Sequence, residues 1–314
     1  MLAHETWFTT LRPAYEWAFV FEPPTLVLMM AAIAVAVGWR MVGGRLPSPE
    51  LAFLAPLGRL SPWVPRLLGI HAGVSLLSQA ARGSYLAPSL ALPDSWFGTL
   101  LAVVEGVAGV WLITGFRLKI PAYLLVVAGP LGMIGYGIVP ILERMDLLGI
   151  AAFLVFVPPS DDSAGRADPD PRSLMRGLFA LRILVGASLV VLAFTEKLAR
   201  PALGLAFLEA YPAFNILQGI GIDISDLAFI RIAGGVELLF GLLLISGAMP
   251  QLTVIAAGIP FNATLFFLGA PELIGHLPIY GAMGALLVYG SSAEWAPLVP
   301  RILLARPPVP MSDA

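Results

Sequence analysis

The sequence predicts an all-α transmembrane protein of about nine spans, built mainly from two parallel four-helix bundles. Only 12% of the 314 residues are charged, whereas a soluble domain carries about 25%. Hydrophobic residues make up 58% of the chain and the mean hydropathy is +0.88, so most of the surface is expected to face hydrocarbon. Apolar stretches close to the length of about 20 residues that a spanning helix needs recur along the chain. A glutamate motif occurs twice among them, which indicates a duplication.

The apolar stretches place the spans, and the basic residues between them predict the orientation. Glycine and proline interrupt several stretches, which a membrane helix tolerates where neighbouring helices satisfy the freed backbone groups. The expected spans are Pro24–Val42, Arg66–Ala81, Ser95–Phe116, Ile120–Ile138, Val139–Val157, Gly177–Leu198, Asp226–Gly247, Leu252–Ala270 and Gly275–Tyr289. Lys and Arg concentrate in the loops that are inside when the N-terminus is outside. This bias predicts a multi-pass plasma-membrane protein with a cytoplasmic C-terminus.

Changes in composition divide the chain into five parts. The aromatic residues between Trp7 and Phe19 recur at near-helical spacing, which favours short helices lying at the membrane interface. A stretch rich in Pro, Asp and Ser cannot pack a core and is predicted to be a linker. The parts are residues 1–60 (interfacial segment and one extra span), 61–157 (first repeat), 158–176 (cytoplasmic linker), 177–291 (second repeat) and 292–314 (cytoplasmic tail).

The two repeats share a motif and two glutamates. Glu105 begins the run EGVAGVWLITG and Glu237 begins ELLFGLLLISG, at an offset of 132 residues. Glu143 matches Glu272 at an offset of 129 residues. An even number of spans in each repeat means that both cross the membrane in the same direction. We therefore expect Glu105 to superpose on Glu237, and Glu143 to fall close to Glu272.

Ionisable side chains inside a membrane are costly, so each is a candidate functional residue. The groups expected to share one polar site in the outer half of the second bundle are Glu196, Lys197, Arg231, Glu237, Asn262, Glu272 and His276. The first repeat offers Glu105, Glu143 and Asp146 as counterparts. Arg231 precedes Glu237 by six residues, which turns the two side chains about 240° apart on a helix. Arg231 is therefore expected to pair with Glu272 or Asp226 instead.

Three interpretations of these groups remain open at this stage. The charges could neutralise one another and hold the helices together, as paired buried charges often do. They could form a pocket for a quinone, a lipid headgroup or a proton, with Glu237 as the acid and His276 as a proton carrier. They could also bind a metal through Glu196, Glu237, Glu272 and His276, since carboxylates and imidazole suit several metals.

Composition disfavours other classes of function. A net charge of −2 without basic clusters argues against nucleic acid as a partner. The chain has no cysteine, which excludes disulfides, iron–sulfur clusters and thiol redox relays of its own. Bis-histidine haem ligation is disfavoured because His71 and His276 are predicted at different depths.

The second repeat resembles a known family. Arg182-x₃-Gly186, the run FTEKL from Phe194, Glu237-x₃-Gly241 and the run ELIGHLPIYG from Glu272 are similar to motifs of the DoxX/DoxD family of four-helix membrane proteins. The resemblance is clear over about residues 181–290 and weaker over the first repeat. There, Glu143-Arg-Met-Asp146 stands in place of Glu-Leu-Ile-Gly-His.

The resemblance implies a role beside redox enzymes. DoxD-like members are membrane subunits of thiosulfate:quinone oxidoreductase, and relatives accompany soluble redox enzymes. The expected function is a membrane subunit, or a quinone-interacting partner, of an oxidoreductase system. Its expected partners are membrane lipid, a quinone and a soluble redox protein. The alternatives are a carrier or channel for a small solute, lipid or proton at the interface of the repeats, and a non-catalytic membrane scaffold.

Overall fold

The computed structural model of the chain describes residues 4–159 and 164–301, which are almost entirely helical. The helices are α1 (Trp17–Val20), α2 (Pro23–Gly43), α3 (Val64–Ala81), α4 (Trp96–Thr114), α5 (Lys119–Tyr136), α6 (Ile138–Leu142), α7 (Met145–Phe156), α8 (Pro171–Leu192), α9 (Pro201–Ala210), α10 (Ile216–Gly219), α11 (Asp226–Ser246), α12 (Pro250–Leu268) and α13 (Ala270–Gly290). A π-helical turn, Ala193–Leu198, extends α8, and 3₁₀ turns span Glu5–Trp7, Ala52–Trp63, Pro212–Phe214 and Ala296–Leu298. Strands β1 (Ser84–Tyr85) and β2 (Ala87–Ala91) form one antiparallel hairpin.

Seven helices in the described part of the chain are long and apolar enough to cross a membrane. They are α2, α4, α5, α8 with its π-helical turn, α11, α12 and α13. The prediction of an all-helical membrane protein is therefore confirmed. Two of the expected nine spans are not among the seven. Helix α3 carries Arg66, His71 and Gln79, and the stretch from Ile138 to Phe156 is broken into α6 and α7 at Glu143–Arg144.

Local sequence explains where the long helices begin and end. The Ser95 hydroxyl accepts a hydrogen bond from the Gly98 N–H at 3.2 Å and starts α4. Ser225 does the same for Ala228 at the start of α11, at 3.3 Å. Such caps satisfy backbone donors that the first helical turn leaves unpaired. Both helices end at a glycine with positive φ, Gly115 at 75° and Gly247 at 64°, a conformation that strains other residues.

Within the described residues, the helices pack around one large hydrophobic core, which spans both halves, and two smaller clusters in the second half. Helices α3, α4, α5 and α7 contact one another, α8 packs along α11, and α12 packs along α13. The two halves meet where α7 lies against α8 and where α13 packs against α3. Of the seven candidate spans, α13 is the most buried, at 67%, whereas α2 is only 11% buried and packs against α11. The extra N-terminal span therefore lies beside the second half.

The two halves each contain one close helix crossing through paired glycines. In the first half, Gly73 of α3 faces Gly109 of α4, and a Cβ atom on Gly73 would lie 2.6 Å from the Gly109 carbonyl oxygen. In the second half, a Cβ atom on Gly186 of α8 would lie 2.5 Å from the Gly241 carbonyl oxygen of α11. Gly109 and Gly241 are the glycines of the repeated glutamate motif. Small residues at these positions allow the helix backbones to touch.

Three expectations about segments outside the spans need correction. Helix α8 begins at Pro171, capped by Asp170, so residues 171–176 are helical and do not belong to a linker. Residues 9–16 form no helix, so of the aromatic segment only its two ends are helical, in the turn Glu5–Trp7 and the single turn α1 (Trp17–Val20). The β1–β2 hairpin was not expected; Tyr85 anchors it by donating from its hydroxyl to the Ala128 carbonyl oxygen at 2.7 Å. The expected cytoplasmic tail after residue 301 lies outside the described residues.

Candidate functional site

A π-helical turn carries the first two predicted site residues. Glu196 and Lys197 are neighbours in the turn Ala193–Leu198, and both are almost fully buried, at 0% and 2% exposure. Consecutive side chains on an α-helix diverge by about 100°, so one of two neighbours usually faces outward. A π-turn inside a helix alters that geometry and occurs frequently at functional sites.

Lys197 is the positive centre of the site. Its Nζ lies 3.0 Å from Glu237 Oε2 on α11 and 3.6 Å from Glu5 Oε1 in the N-terminal 3₁₀ turn. All three side chains are at least nine-tenths buried. Lys197 therefore links two carboxylates that are far apart in the sequence, one before the first long helix and one on α11.

Glu196 is surrounded by donors from the same N-terminal turn. The backbone N–H of Glu5 donates to Glu196 Oε2 at 2.8 Å, and the Thr6 hydroxyl donates to Oε1 at 2.5 Å. The His4 Nδ1 atom lies 3.7 Å from Oε1. Hydrogen bonds of this kind stabilise a carboxylate that burial would otherwise penalise.

The last predicted pair lies one turn apart on α13. His276 Nδ1 is 3.4 Å from Glu272 Oε1, and both residues are buried. The His276 ring contacts the rings of His4, Trp7 and Phe261, with centroid distances of 4.8, 5.1 and 5.1 Å. His4 thus touches both His276 and Glu196 and joins the two pairs. We call His4, Glu5, Glu196, Lys197, Glu237, Glu272 and His276 the polar cluster.

Arg144 connects the polar cluster to the first half of the chain. Its Nη2 atom lies 3.3 Å from Asp146 Oδ2 and donates to the Gly275 carbonyl oxygen on α13, also at 3.3 Å. Its guanidinium group lies 6.0 Å from the Trp7 ring. Asp146 was predicted as a first-repeat counterpart of the site. Arg144, which contacts both Asp146 and α13, connects it to the polar cluster.

Two residues predicted for the site lie elsewhere. Arg231 forms an ion pair with Glu22 and donates from Nε to the Thr25 hydroxyl at 2.9 Å. Its expected pairing with Glu272 or Asp226 is wrong. Helix α2, the extra span, packs against α11 and brings the carboxylate of Glu22, at its start, to Arg231. Asn262 is exposed on α12 and donates to the Gly258 carbonyl oxygen at 2.7 Å.

The other first-repeat candidates have local roles. Glu105 is buried and accepts a hydrogen bond at 2.8 Å from the Leu86 N–H in the hairpin, while its Oε2 has no partner among the described residues. The backbone carbonyl of Glu143 accepts a hydrogen bond from the Ser188 hydroxyl at 2.5 Å. Glu105 thus accepts a hydrogen bond from the backbone N–H of a residue outside the α-helices. Glu196 does the same with the N–H of Glu5.

Sequence reasoning missed the N-terminal contribution. His4, Glu5 and Thr6 are separated from Glu196 by about 190 residues, and all are more than nine-tenths buried. The only signal was a charged pair, His4-Glu5, beside aromatic residues ahead of the first span, which equally fits an interfacial segment. Nothing in a single sequence indicates which bundle such a segment contacts.

Charge in the polar cluster is unbalanced. Burial raises the pKa of Glu5 to about 8; nearby Lys197 opposes this shift, whereas Glu196 and Glu237 add to it. A protonated Glu5 would reduce the repulsion among the carboxylates that surround Lys197. No group of three or more His, Asp or Glu side chains within residues 4–159 and 164–301 is arranged to hold a metal ion, so the metal interpretation gains no support.

A groove lies between two of the candidate spans, next to the polar cluster. It has a volume of about 540 Å³ between α12 and α13 and is lined by Val254, Ile255, Gly258, Ile259, Asn262, Tyr280, Met283 and Gly284. The Tyr280 hydroxyl is buried there without a hydrogen-bond partner among the described residues. The Phe261 ring lies between the groove and the cluster, 6.2 Å from the Tyr280 ring and 5.1 Å from the His276 ring.

Comparison of the chain with models of protein families, with curated proteins and with solved structures finds no match.

Proposed function

We propose that the protein is a DoxX-like membrane subunit, or quinone-interacting partner, of an oxidoreductase system. The groove between α12 and α13 carries this proposal. It is lined mainly by apolar side chains of two candidate spans and contains one buried hydroxyl, that of Tyr280, without a partner among the described residues. The motifs of the second half, which resemble the DoxX/DoxD family, support the same assignment.

The chemistry of a quinone fits this groove. A quinone has an apolar ring with carbonyl acceptors and a tail that remains in lipid. A buried hydroxyl left without a hydrogen bond costs about 1–3 kcal/mol, so an acceptor delivered by a ligand would be stabilising. Small-molecule sites are mostly apolar, with a few polar groups that fix the orientation of the ligand.

The neighbouring acid and imidazole supply what quinone chemistry requires from the protein. When bound, a quinone takes up or releases electrons together with protons. Glu272 and His276 lie behind Phe261, on the same helix as Tyr280, and are shielded from lipid. A buried pair of this kind can hold a proton close to the groove, and electrons would come from a soluble redox partner.

Replacing Tyr280 with Phe tests the groove. The variant keeps the ring and removes the hydroxyl, so quinone affinity is expected to fall about fivefold, the worth of one hydrogen bond of about 1 kcal/mol. Binding of a soluble quinone analogue to the purified protein would be measured by calorimetry, and copurifying quinone by solvent extraction. Tyr123→Phe, on α5 and away from the groove, is the matched control. Equal affinity in all three proteins, or no binding at all, would refute the quinone site.

We further infer the full topology of nine spans in two parallel four-helix units. Helix α3 is less apolar than the seven long spans because it is enclosed by α4, α7 and α13, so few of its residues need to suit lipid. The paired glycine crossings in the two halves support duplication. In this topology the N-terminus is outside, the C-terminus is cytoplasmic, and the polar cluster lies in the outer half of a plasma membrane.

Single cysteines test this topology directly, because the chain has none of its own. Asp94 and Ala164 are exposed and precede α4 and α8, at opposite ends of the proposed spans. A membrane-impermeant maleimide added to intact cells is expected to label Asp94→Cys, and to label Ala164→Cys only after permeabilisation. The reverse pattern would invert the orientation, and labelling of both from outside would break the parallel repeat.

One observation favours a second candidate function. Arg144 reaches from the first half to Gly275 in the second, so charged groups meet at the interface of the two units. A carrier for a proton or small solute would use such an interface, and uptake into liposomes would identify it. A scaffold would show neither quinone binding nor uptake, but would retain a stable protein partner during purification.

A further inference from the structure

We infer that the N-terminal residues His4–Trp7 are a lid on the polar cluster, which closes when Glu5 holds a proton and opens when that proton is lost. We call these four residues the lid. The lid is separate from the proposed quinone site. The groove approaches His276 from the side of Phe261, whereas the lid covers His276 with the rings of His4 and Trp7. It would operate whether the protein binds quinone or carries a solute.

The lid is attached in a way that permits it to leave. It is a single 3₁₀ turn, and the residues after it form no helix until Trp17. Within that connection Arg12 bonds to the carbonyl oxygens of Thr6, Thr9 and Leu11, all in the same segment. The Phe8 ring packs against the rings of Phe207 and Tyr211, at 6.3 and 6.1 Å, but the next backbone hydrogen bond to the rest of the chain is at Glu16, whose N–H donates to the Ala199 carbonyl oxygen at 2.8 Å. Segments with few anchors open locally at low cost in free energy.

Opening the lid would uncover a polar site. Glu196 would lose the donors supplied by the Glu5 backbone and the Thr6 hydroxyl, and Lys197 would lose its ion pair with Glu5. His276 would lose its ring contacts with His4 and Trp7. Water or a polar ligand could then replace these contacts, so the closed lid separates the cluster from solvent.

Every element around Glu5 carries charged groups, so the stability of the closed lid depends on whether Glu5 is protonated. Lys197 and Glu196 face Glu5 from the π-helical turn, Glu237 faces it from α11, and His4 lies beside it in the lid. Glu272 and His276 on α13, and Arg144 with Asp146 at the start of α7, complete the surroundings. A third ionised carboxylate beside the single Lys197 ammonium would repel the other two in a place that water does not screen.

The direction of the pH effect follows from linkage. The pKa of Glu5 is about 8 in the closed state, above its ordinary value of 4.5, because burial disfavours the charged form. The closed state therefore binds more protons than the open state between these values. Closure is stable below the ordinary pKa and weakens as the pH rises towards 8, by up to about tenfold in the opening equilibrium for each pH unit.

Packing provides a way to open the lid without changing any charge. Gly275 lies directly under the indole of Trp7, and a Cβ atom at that position would overlap the ring. Gly275→Ala is therefore expected to displace Trp7, and the lid with it, without adding, removing or altering any ionisable group. The bond from Arg144 goes to the backbone carbonyl of Gly275 and does not depend on its side chain.

The experiment measures the accessibility of a thiol on the lid in the full-length protein in lipid nanodiscs. Thr6→Cys places the thiol in the buried part of the lid, and Thr10→Cys places one on the exposed connection. The ratio of their rates of reaction with a maleimide cancels the ionisation of the thiol itself. We expect the ratio to be low at pH 6 and to rise by up to about a hundredfold by pH 9, most of it below pH 8.

Two further backgrounds decide between outcomes. With Glu5→Gln, which stays neutral, the ratio is expected to remain low at every pH. With Gly275→Ala it is expected to be high at every pH. A ratio that does not change with pH in the parent, or one that still rises in Glu5→Gln, would overturn the proton-controlled lid. Loss of quinone binding in Tyr280→Phe is independent of these ratios, so the two proposals can fail separately.

Discussion

Lys197→Met is expected to cause one of the two largest losses of stability among single substitutions in this chain. The methionine matches the length of the lysine stem but removes the charge that Glu237 and Glu5 share at 3.0 and 3.6 Å. Removing one partner of a buried ion pair leaves an uncompensated charge and costs about 3–5 kcal/mol. In a chain of this size such a loss should lower the melting temperature by roughly 10 °C, measured by thermal unfolding in detergent.

A double-mutant cycle distinguishes the lost ion pair from lost packing. Glu237→Gln removes one of the carboxylates around Lys197, and in the double variant neither side chain carries charge. The double variant is expected to recover part of the stability lost in Lys197→Met, because it no longer buries that unpaired carboxylate. Lys119→Met, on the exposed start of α5, is the matched control and should change stability little. A loss below about 1 kcal/mol for Lys197→Met would show that the pair does not support the fold.

Elements that face lipid were the most predictable part of the structure. Helices α2, α4 and α5 match the expected spans to within two residues, because they are the least buried of the candidate spans and their exposed surfaces require apolar side chains. Helix α3 was placed by the same criterion, although its mean hydropathy is lower. It is enclosed by other helices. Hydropathy reflects how much of a helix contacts lipid, so an enclosed helix can have a low value and still be a span.

Site residues were predictable where the membrane itself imposes the constraint. Glu196, Lys197, Glu237, Glu272 and His276 lie together because each must avoid lipid and is therefore buried between the helices. Arg231 avoids lipid equally well by pairing with Glu22 at the start of α2, and sequence spacing cannot distinguish these solutions. The contacts of the lid depend on the path of a non-helical segment, for which helical periodicity gives no information.

Substituting valine for Gly73 or Gly186 is expected to cause a comparably large loss, and by the same amount in both halves. The added Cβ atom would lie 2.6 or 2.5 Å from a carbonyl oxygen of the facing helix, and a further side-chain atom of Ile113 or Ile245 lies close by in each case. A backbone oxygen cannot move aside as a flexible side chain can, so the two helices must separate. Overpacking usually costs 1–3 kcal/mol, and we expect a cost of about 3 kcal/mol because the obstacle is backbone.

Equal losses in the two halves would support a duplication, since the crossings involve the glycines of the repeated motif, Gly109 and Gly241. Thermal unfolding and the recovery of monodisperse protein by gel filtration provide the measurement. Gly106→Val is the control, because Gly106 lies on α4 one turn before Gly109 and its Cβ would meet no atom within 4 Å. Gly186→Val could destabilise the protein while Gly73→Val behaved like Gly106→Val. The α3–α4 crossing would then contribute less to stability than the α8–α11 crossing. The two halves would then share the glutamate–glycine motif, but only the second half would depend on the close helix contact at its glycine.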